Sequence, residues 1–183
     1  MGSILSVSEI KGLTSGSNAN TISVSSGHKI SGAAGSIVAP GQVIQTVRKT
    51  TDQNGHANTS SASYVDLASS ALSITPKFAN SMIRYSCAIY LHCQTGSTRF
   101  KWTIFRDSTD LSTLYNSTSY GEYGSGADGA DNTYDCWTRF AIDFPNTTST
   151  VSYSVQFART AGSYSLYAHA NGINEFMLEE IAQ

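Results

Sequence analysis

Between Met82 and Gln94 the chain alternates apolar and polar residues with a period of two. Ile83, Tyr85, Cys87, Ile89, Leu91 and Cys93 fall on one side, and Arg84, Ser86, His92 and Gln94 on the other. A helix, turning about 100° per residue, would scatter the first set around its circumference, whereas a strand gathers it onto one face. The same period recurs where Phe100, Trp102 and Ile104 interleave with Arg99, Lys101 and Thr103, and again at Val151, Tyr153, Val155 and Phe157. No segment sustains the helical period beyond a turn. Such a chain must bury its apolar rows by laying one sheet on another. The expected fold class is therefore all-β, an antiparallel, jelly-roll-like β-sandwich.

Turn residues punctuate the rows. Gln42 to Lys49, Ser63 to Leu67, Leu72 to Thr75, Tyr164 to Ala168 and Glu175 to Ile181 read as further strands, and Thr50 to Ser61 as a polar loop. Thr95-Gly96-Ser97 predicts a hairpin joining Met82–Gln94 to Thr98–Arg106. Cys136 to Phe144 reads as a strand with Phe140, Ile142 and Phe144 on one side, and Pro145 to Ser149 as its turn into Val151–Phe157. Ser112 to Asp135 is long and irregular, dominated by Tyr, Gly, Ser, Asp and Asn.

Composition limits the function. Of 183 residues, 40% are hydrophobic, enough for a core, and only 13% are charged, about half the usual share. Ser and Thr fill the gap with 48 positions. A net charge of −2 offers no electrostatic footprint for nucleic acid or an anionic membrane. No apolar run approaches the roughly 20 residues of a membrane span, and Met1-Gly2-Ser3-Ile4-Leu5 lacks the basic and apolar regions of a signal peptide. Cys87 and Cys93 lie about 20 Å apart along a straight strand, beyond the roughly 7 Å a disulfide allows. All three cysteines read as small core residues; a bridge from Cys136 to one of the others is the alternative.

Residues 1–40 differ from the rest. They are poor in aromatics and rich in Ser, Gly and Asn, with isolated apolar residues including Ile4, Leu5, Val7, Ile10, Ile22, Val24 and Ile30. Thr21 to Ser25 alternates like a strand, and Ser26-Gly27 follows as a turn. Strands this thin gain stability only against copies of themselves or a partner. Pro40-Gly41 marks a boundary. The expected organisation is an extended N-terminal β/coil segment, 1–40, and a β-sandwich head, 41–183.

The order of segments resembles a family of small phage virion proteins, the tail-fibre or fibre-head proteins of marine phages. The matching pieces are Asn20-Thr21-Ile22-Ser23-Val24, Gly27-His28-Lys29-Ile30-Ser31-Gly32, Gly35 to Gln45, Ser63-Tyr64-Val65-Asp66-Leu67 leading to Ile74-Thr75-Pro76, Arg106-Asp107, Pro145 to Ser149, and Met177 to Ala182. The resemblance implies a homotrimer located in the virion and assembled in the host cytoplasm. Its N-terminal part, with the seven apolar residues named above, would attach to other virion proteins of the tail or capsid.

The residues suggest little catalysis. His28 and His56 sit in polar stretches and His92 on the polar side of its strand; there is no Gly-x-Ser-x-Gly elbow to activate a serine. Glu122, Asp128, Asp131 and Asp135 are the acidic concentration that a polysaccharide-degrading spike would need. Gly126 to Asn132 is oxygen-rich but lacks the spacing of an EF-hand loop, and reads as a solvated loop with calcium as the alternative. No cofactor or metal is expected. Tyr115, Tyr120, Tyr123, Tyr134 and Trp137 form an aromatic cluster in a Gly- and Ser-rich setting, the composition of a recognition loop for a host cell-surface glycan or protein. Packing of the same aromatics onto the sandwich or a neighbouring subunit is the other reading. The expected function is non-catalytic: a short homotrimeric tail fibre or fibre head that contacts the host. Capsid decoration or a head fibre is the alternative, and a polysaccharide-degrading spike a more distant one.

Overall fold

The computed structural model describes residue 15 and residues 24–32, 37–52, 57–67, 70–93, 99–114, 123–124, 133–161, 166–168 and 173–183. The chain divides into two units, Met1–Ser36 and Ile37–Gln183. In the first, the His28 N–H donates to the Ser25 carbonyl at 3.0 Å. Gly27 closes this turn at φ +82°, a left-handed conformation that a side chain would strain. Val24 and Ile30 flank it, 44% and 64% exposed.

The second unit takes in the Pro40-Gly41 turn and reaches back to Ile37. Its strands are β1 (Val43–Asp52), β2 (Ala57–Thr59), β3 (Val65–Asp66), β4 (Leu72–Ile74), β5 (Met82–Cys93), β6 (Arg99–Arg106), β7 (Thr109–Asp110), β8 (Tyr123–Gly124), β9 (Thr133–Asp143), β10 (Val151–Ala161), β11 (Leu166–Ala168) and β12 (Ile173–Ile181). A single helical turn, α1 (Leu111–Leu114), follows β7.

Two antiparallel sheets pack face to face. In sheet A, β5 lies between β9 on one edge and β12 with β11 on the other, and β1 with β2 forms the outer column. In sheet B, β10 lies between β6 and the short β3 and β4, with β7 and β8 beyond β6. Short strands sharing a column count together, which gives eight columns in chain order. Sheet A then runs first, eighth, third, sixth, and sheet B second, seventh, fourth, fifth. That is the strand order of a jelly roll, two interlocked Greek keys. The expected all-β sandwich is the observed fold.

The pairing corrects both expected hairpins. β5 and β6 lie in different sheets, and so do β9 and β10. Alternation fixes which face of a strand is apolar, but two such faces can meet across a core as readily as they can lie side by side. β2 falls inside the expected polar loop; its three residues carry no alternation and are held by backbone pairing with β11. The register between β2 and β11, with Ala57 opposite Ala168, is in step with that between β1 and β12, with Asp52 opposite Ile173.

The core is built by the predicted rows. Ile83, Tyr85, Cys87 and Ile89 of β5 join Phe176 and Leu178 of β12, and face Trp102 and Ile104 of β6 and Val151, Tyr153, Val155 and Phe157 of β10. Tyr85 and Tyr153 stack across the sandwich with centroids 6.3 Å apart. The Tyr85 hydroxyl donates to the Ser70 carbonyl at 2.9 Å, which satisfies its buried polar end.

Candidate functional site

Two buried carboxylates come first, because buried acids are where chemistry is sought. Asp143, at the end of β9, takes Arg106 Nη1 of β6 at 2.8 Å and the Tyr153 hydroxyl of β10 at 2.7 Å. It therefore ties sheet A to sheet B. Burial, with the Asp143 carboxylate alongside, holds the Tyr153 phenol well above its ordinary range. Glu180, at the end of β12, is fully buried. Its Oε1 accepts from the Lys77 and Phe78 N–H groups and the Ser81 hydroxyl at 2.7, 3.1 and 2.7 Å, and its Oε2 from Gln45 Nε2 at 2.6 Å. Both carboxylates are committed to holding strands and a loop together.

The outer face of sheet A is different. Across it run registered rows: Thr46–Glu179–Arg84–Ile142, Arg48–Met177–Ser86–Phe140 and Thr50–Glu175–Ala88–Thr138. Its charges cancel locally, because Arg48 Nε meets Glu175 at 2.6 Å and Arg84 Nε meets Glu179 at 2.7 Å. What remains is apolar: Phe140 is 59% exposed, Ile142 39%, Phe144 42% and Tyr90 42%. Phe140 and Ile142 thus occupy the solvent side of β9, with Phe144 just past its end, while the core side carries Ala141 and Asp143. Beside Phe140 the small Ser86 and Ala88 leave a depression of about 210 Å³, bounded by Thr138, Glu175 and Met177.

The outer face of sheet B is polar. A concavity of about 310 Å³ lies over β10, lined by Ser152, Ser154 and Gln156 with Asp66, Leu67, Ala71 and Asp107. Asp66 Oδ1 accepts from Ser154 Oγ at 3.1 Å and Gln156 Nε2 at 2.8 Å. Asp107, in the β6–β7 turn at φ +51°, exchanges hydrogen bonds with Ser152. Its N–H donates to the Ser152 carbonyl at 2.8 Å, and its Oδ1 accepts the Ser152 N–H at 3.0 Å.

Of the aromatic candidates, Tyr115 and Tyr120 lie outside the described residues. The backbones of Tyr134 and Trp137 belong to β9, opposite His92 and Ile89 of β5, and that of Tyr123 to β8, opposite Phe100 of β6. The candidates are therefore divided between the two sheets, and β9 begins three residues earlier than expected, at Thr133. Of the attachment candidates, Ile4, Leu5, Val7, Ile10 and Ile22 lie outside the described residues, as do Glu122, Asp128, Asp131 and the 126–132 loop. Cys87 is buried and Cys136 exposed, neither in a disulfide; Cys136 is thus a surface residue on β9, not a core one. Among the described residues no three His, Cys, Asp or Glu side chains come together as metal ligands.

The sequence reasoning passed over both outer faces. The Ser152-x-Ser154-x-Gln156 row of β10 was visible as the polar partner of its apolar row. For β9 the signal was misleading, because its bulkier row points to solvent. Comparison with known proteins finds no matching family model and no similar curated protein.

Proposed function

We propose that this chain is a non-catalytic virion structural protein, a short homotrimeric tail fibre or fibre head. Its N-terminal unit attaches to the particle and its jelly roll contacts the host surface. The segment order that resembles the phage fibre proteins supports the virion role, and the observation that carries the assembly is the outer face of sheet A. An apolar row with no net charge around it marks a surface that functions covered.

The occupant is a second copy of this chain. Phe140 projects next to a depression larger than the roughly 150 Å³ cavity that admits a benzene ring, so each copy offers a knob and a hole. A knob of one subunit in the hole of the next is a heterologous contact, which closes into a ring when the rotation permits. The paired arginines and glutamates let three such faces gather around a common axis, each Phe140 entering the next subunit's depression, without like-charge repulsion. The engagement of both buried carboxylates in structural bonds supports a role without chemistry.

Light scattering of the full chain tests the assembly, with a trimer mass expected; a monomer at micromolar concentration refutes it. Locating the protein in images of particles tests the appendage. A few tens of copies or fewer at the tail support a fibre, and hundreds on the capsid support decoration instead.

A further inference from the structure

We propose that the concavity over β10 on the outer face of sheet B is a saccharide-binding site. The inference rests on reading the jelly roll as a host-contact domain, and names the ligand class of that contact.

The hydrogen-bond directions carry the argument. Asp66 Oδ1 is occupied by Ser154 Oγ and Gln156 Nε2, and Asp107 Oδ1 by the Ser152 N–H. Among the described residues neither carboxylate has a partner on Oδ2, so each is anchored by one oxygen and presents the other. The Ser152 hydroxyl donates to the Leu72 carbonyl at 3.4 Å, and the Ser154 hydroxyl donates to Asp66. Both serines therefore have their protons turned inward and offer lone pairs outward. Apart from the second N–H of Gln156 Nε2, the lining is a set of acceptors, and the ligand has to bring most of the donors.

Three classes of donor can be compared. Calcium takes six to eight oxygens in a shell around it, whereas Leu67 and Ala71 form part of the lining here. Anionic ligands are repelled by two carboxylates. A neutral sugar fits both parts of the lining, with adjacent hydroxyls donating to the acceptors and the C–H face of its ring against the exposed Ala71. The volume of about 310 Å³ is at the small end of ligand sites, which begin near 300 Å³. Preorganised acceptors on a rigid strand lower the ordering cost of binding, and presentation in several copies multiplies a weak single contact.

The test uses the full chain in buffer containing EDTA. Saturation-transfer NMR is recorded with the methyl glycosides of glucose, galactose, mannose and N-acetylglucosamine, and with N-acetylneuraminic acid as the anionic probe. Transfer to at least one neutral glycoside is expected, with none to the acid. Asp107→Asn keeps a residue that tolerates the left-handed backbone, and Ser154→Ala removes one anchor of Asp66; each is expected to weaken binding at least tenfold. No transfer to any neutral glycoside, equal binding by both variants, or saturable binding of calcium alone overturns the proposal. The readout needs neither a trimer nor a particle. Sugar binding by a monomer would leave this site standing while the appendage reading fell, and a sugar-blind trimer on virions would do the reverse.

Discussion

The outer face of sheet A and the outer face of sheet B are made from the same pleated backbone, four columns each, with the same core between them. On sheet A, Phe140, Ile142 and Tyr90 stand in solvent, and the neighbouring Arg48 and Arg84 are paired with Glu175 and Glu179. On sheet B, Ser152, Ser154 and Gln156 hold two carboxylates in place around a hollow. The first face loses free energy while wet, and the second is stable in water. The proposed assembly would use the first face and the proposed sugar contact the second.

The strongest way to break the contrast is to make sheet A resemble sheet B. The double variant Phe140→Lys, Ile142→Lys is expected to convert the trimer fully to monomer by light scattering, with the circular-dichroism spectrum unchanged. The thiol of Cys136, on the same strand, is expected to react with iodoacetamide faster in that monomer than in the trimer. A trimer that survives both lysines would place the interface elsewhere.

The seam between the faces sets the next scale. Arg106→Ala takes the Arg106 guanidinium away from the buried Asp143 carboxylate, and unfolding by denaturant should show a loss of up to about 3–5 kcal/mol. Alkaline pH tests the same interior. Burial pushes the Cys87 thiol from 9.0 up to about 12, and it raises the Tyr85 and Tyr153 phenols above 10.0. The fold thus prefers the neutral forms. These three groups add no pH dependence below about pH 9, because they are then protonated in both the folded and the unfolded state. Above it the unfolded thiol ionises first and the phenols follow from pH 10. Each group removes up to about 1.4 kcal/mol per pH unit. Cys87→Ala is expected to postpone the onset to the tyrosine range in a pH series of melts.

The smallest effect belongs to the exposed counterpart of the seam. Arg84 is 42% exposed on its side chain, so Arg84→Ala should cost no more than about 1 kcal/mol. A larger loss in the assembled protein but not in the lysine variant would mean that the subunit contact buries this pair.

Much of the interior was legible from the residues. The β5 and β10 rows named their core faces correctly, because burial on one side of a strand leaves a two-residue rhythm in the sequence. Sheet membership was not legible. Thr95-Gly96-Ser97 and Pro145 to Ser149 announce a change of direction, and a chain that turns back within a sheet uses the same residues as one that crosses to the other sheet. β9 was legible as a strand but not in its orientation, since its inward row ends in Ala141 and Asp143, and a buried carboxylate that meets Arg106 and Tyr153 leaves no apolar signal in the sequence. The concavity of sheet B joins residues about 90 positions apart along the chain, and only the folded chain brings Asp66 beside Gln156.

At one corner of the sandwich, the Gly41 N–H donates to the Ala182 carbonyl at 2.8 Å and the Ala182 N–H to the Gln42 carbonyl at 2.9 Å. A tug transmitted through the residues before Gly41 arrives where the last strand stops, on a ladder running from Val43 to Asp52. Force directed along β1 loads all of those rungs together, like a lap joint in shear. Force directed away from the sheet opens them one at a time, like a zip. The angle of pull, more than the number of bonds, decides how well this module withstands traction.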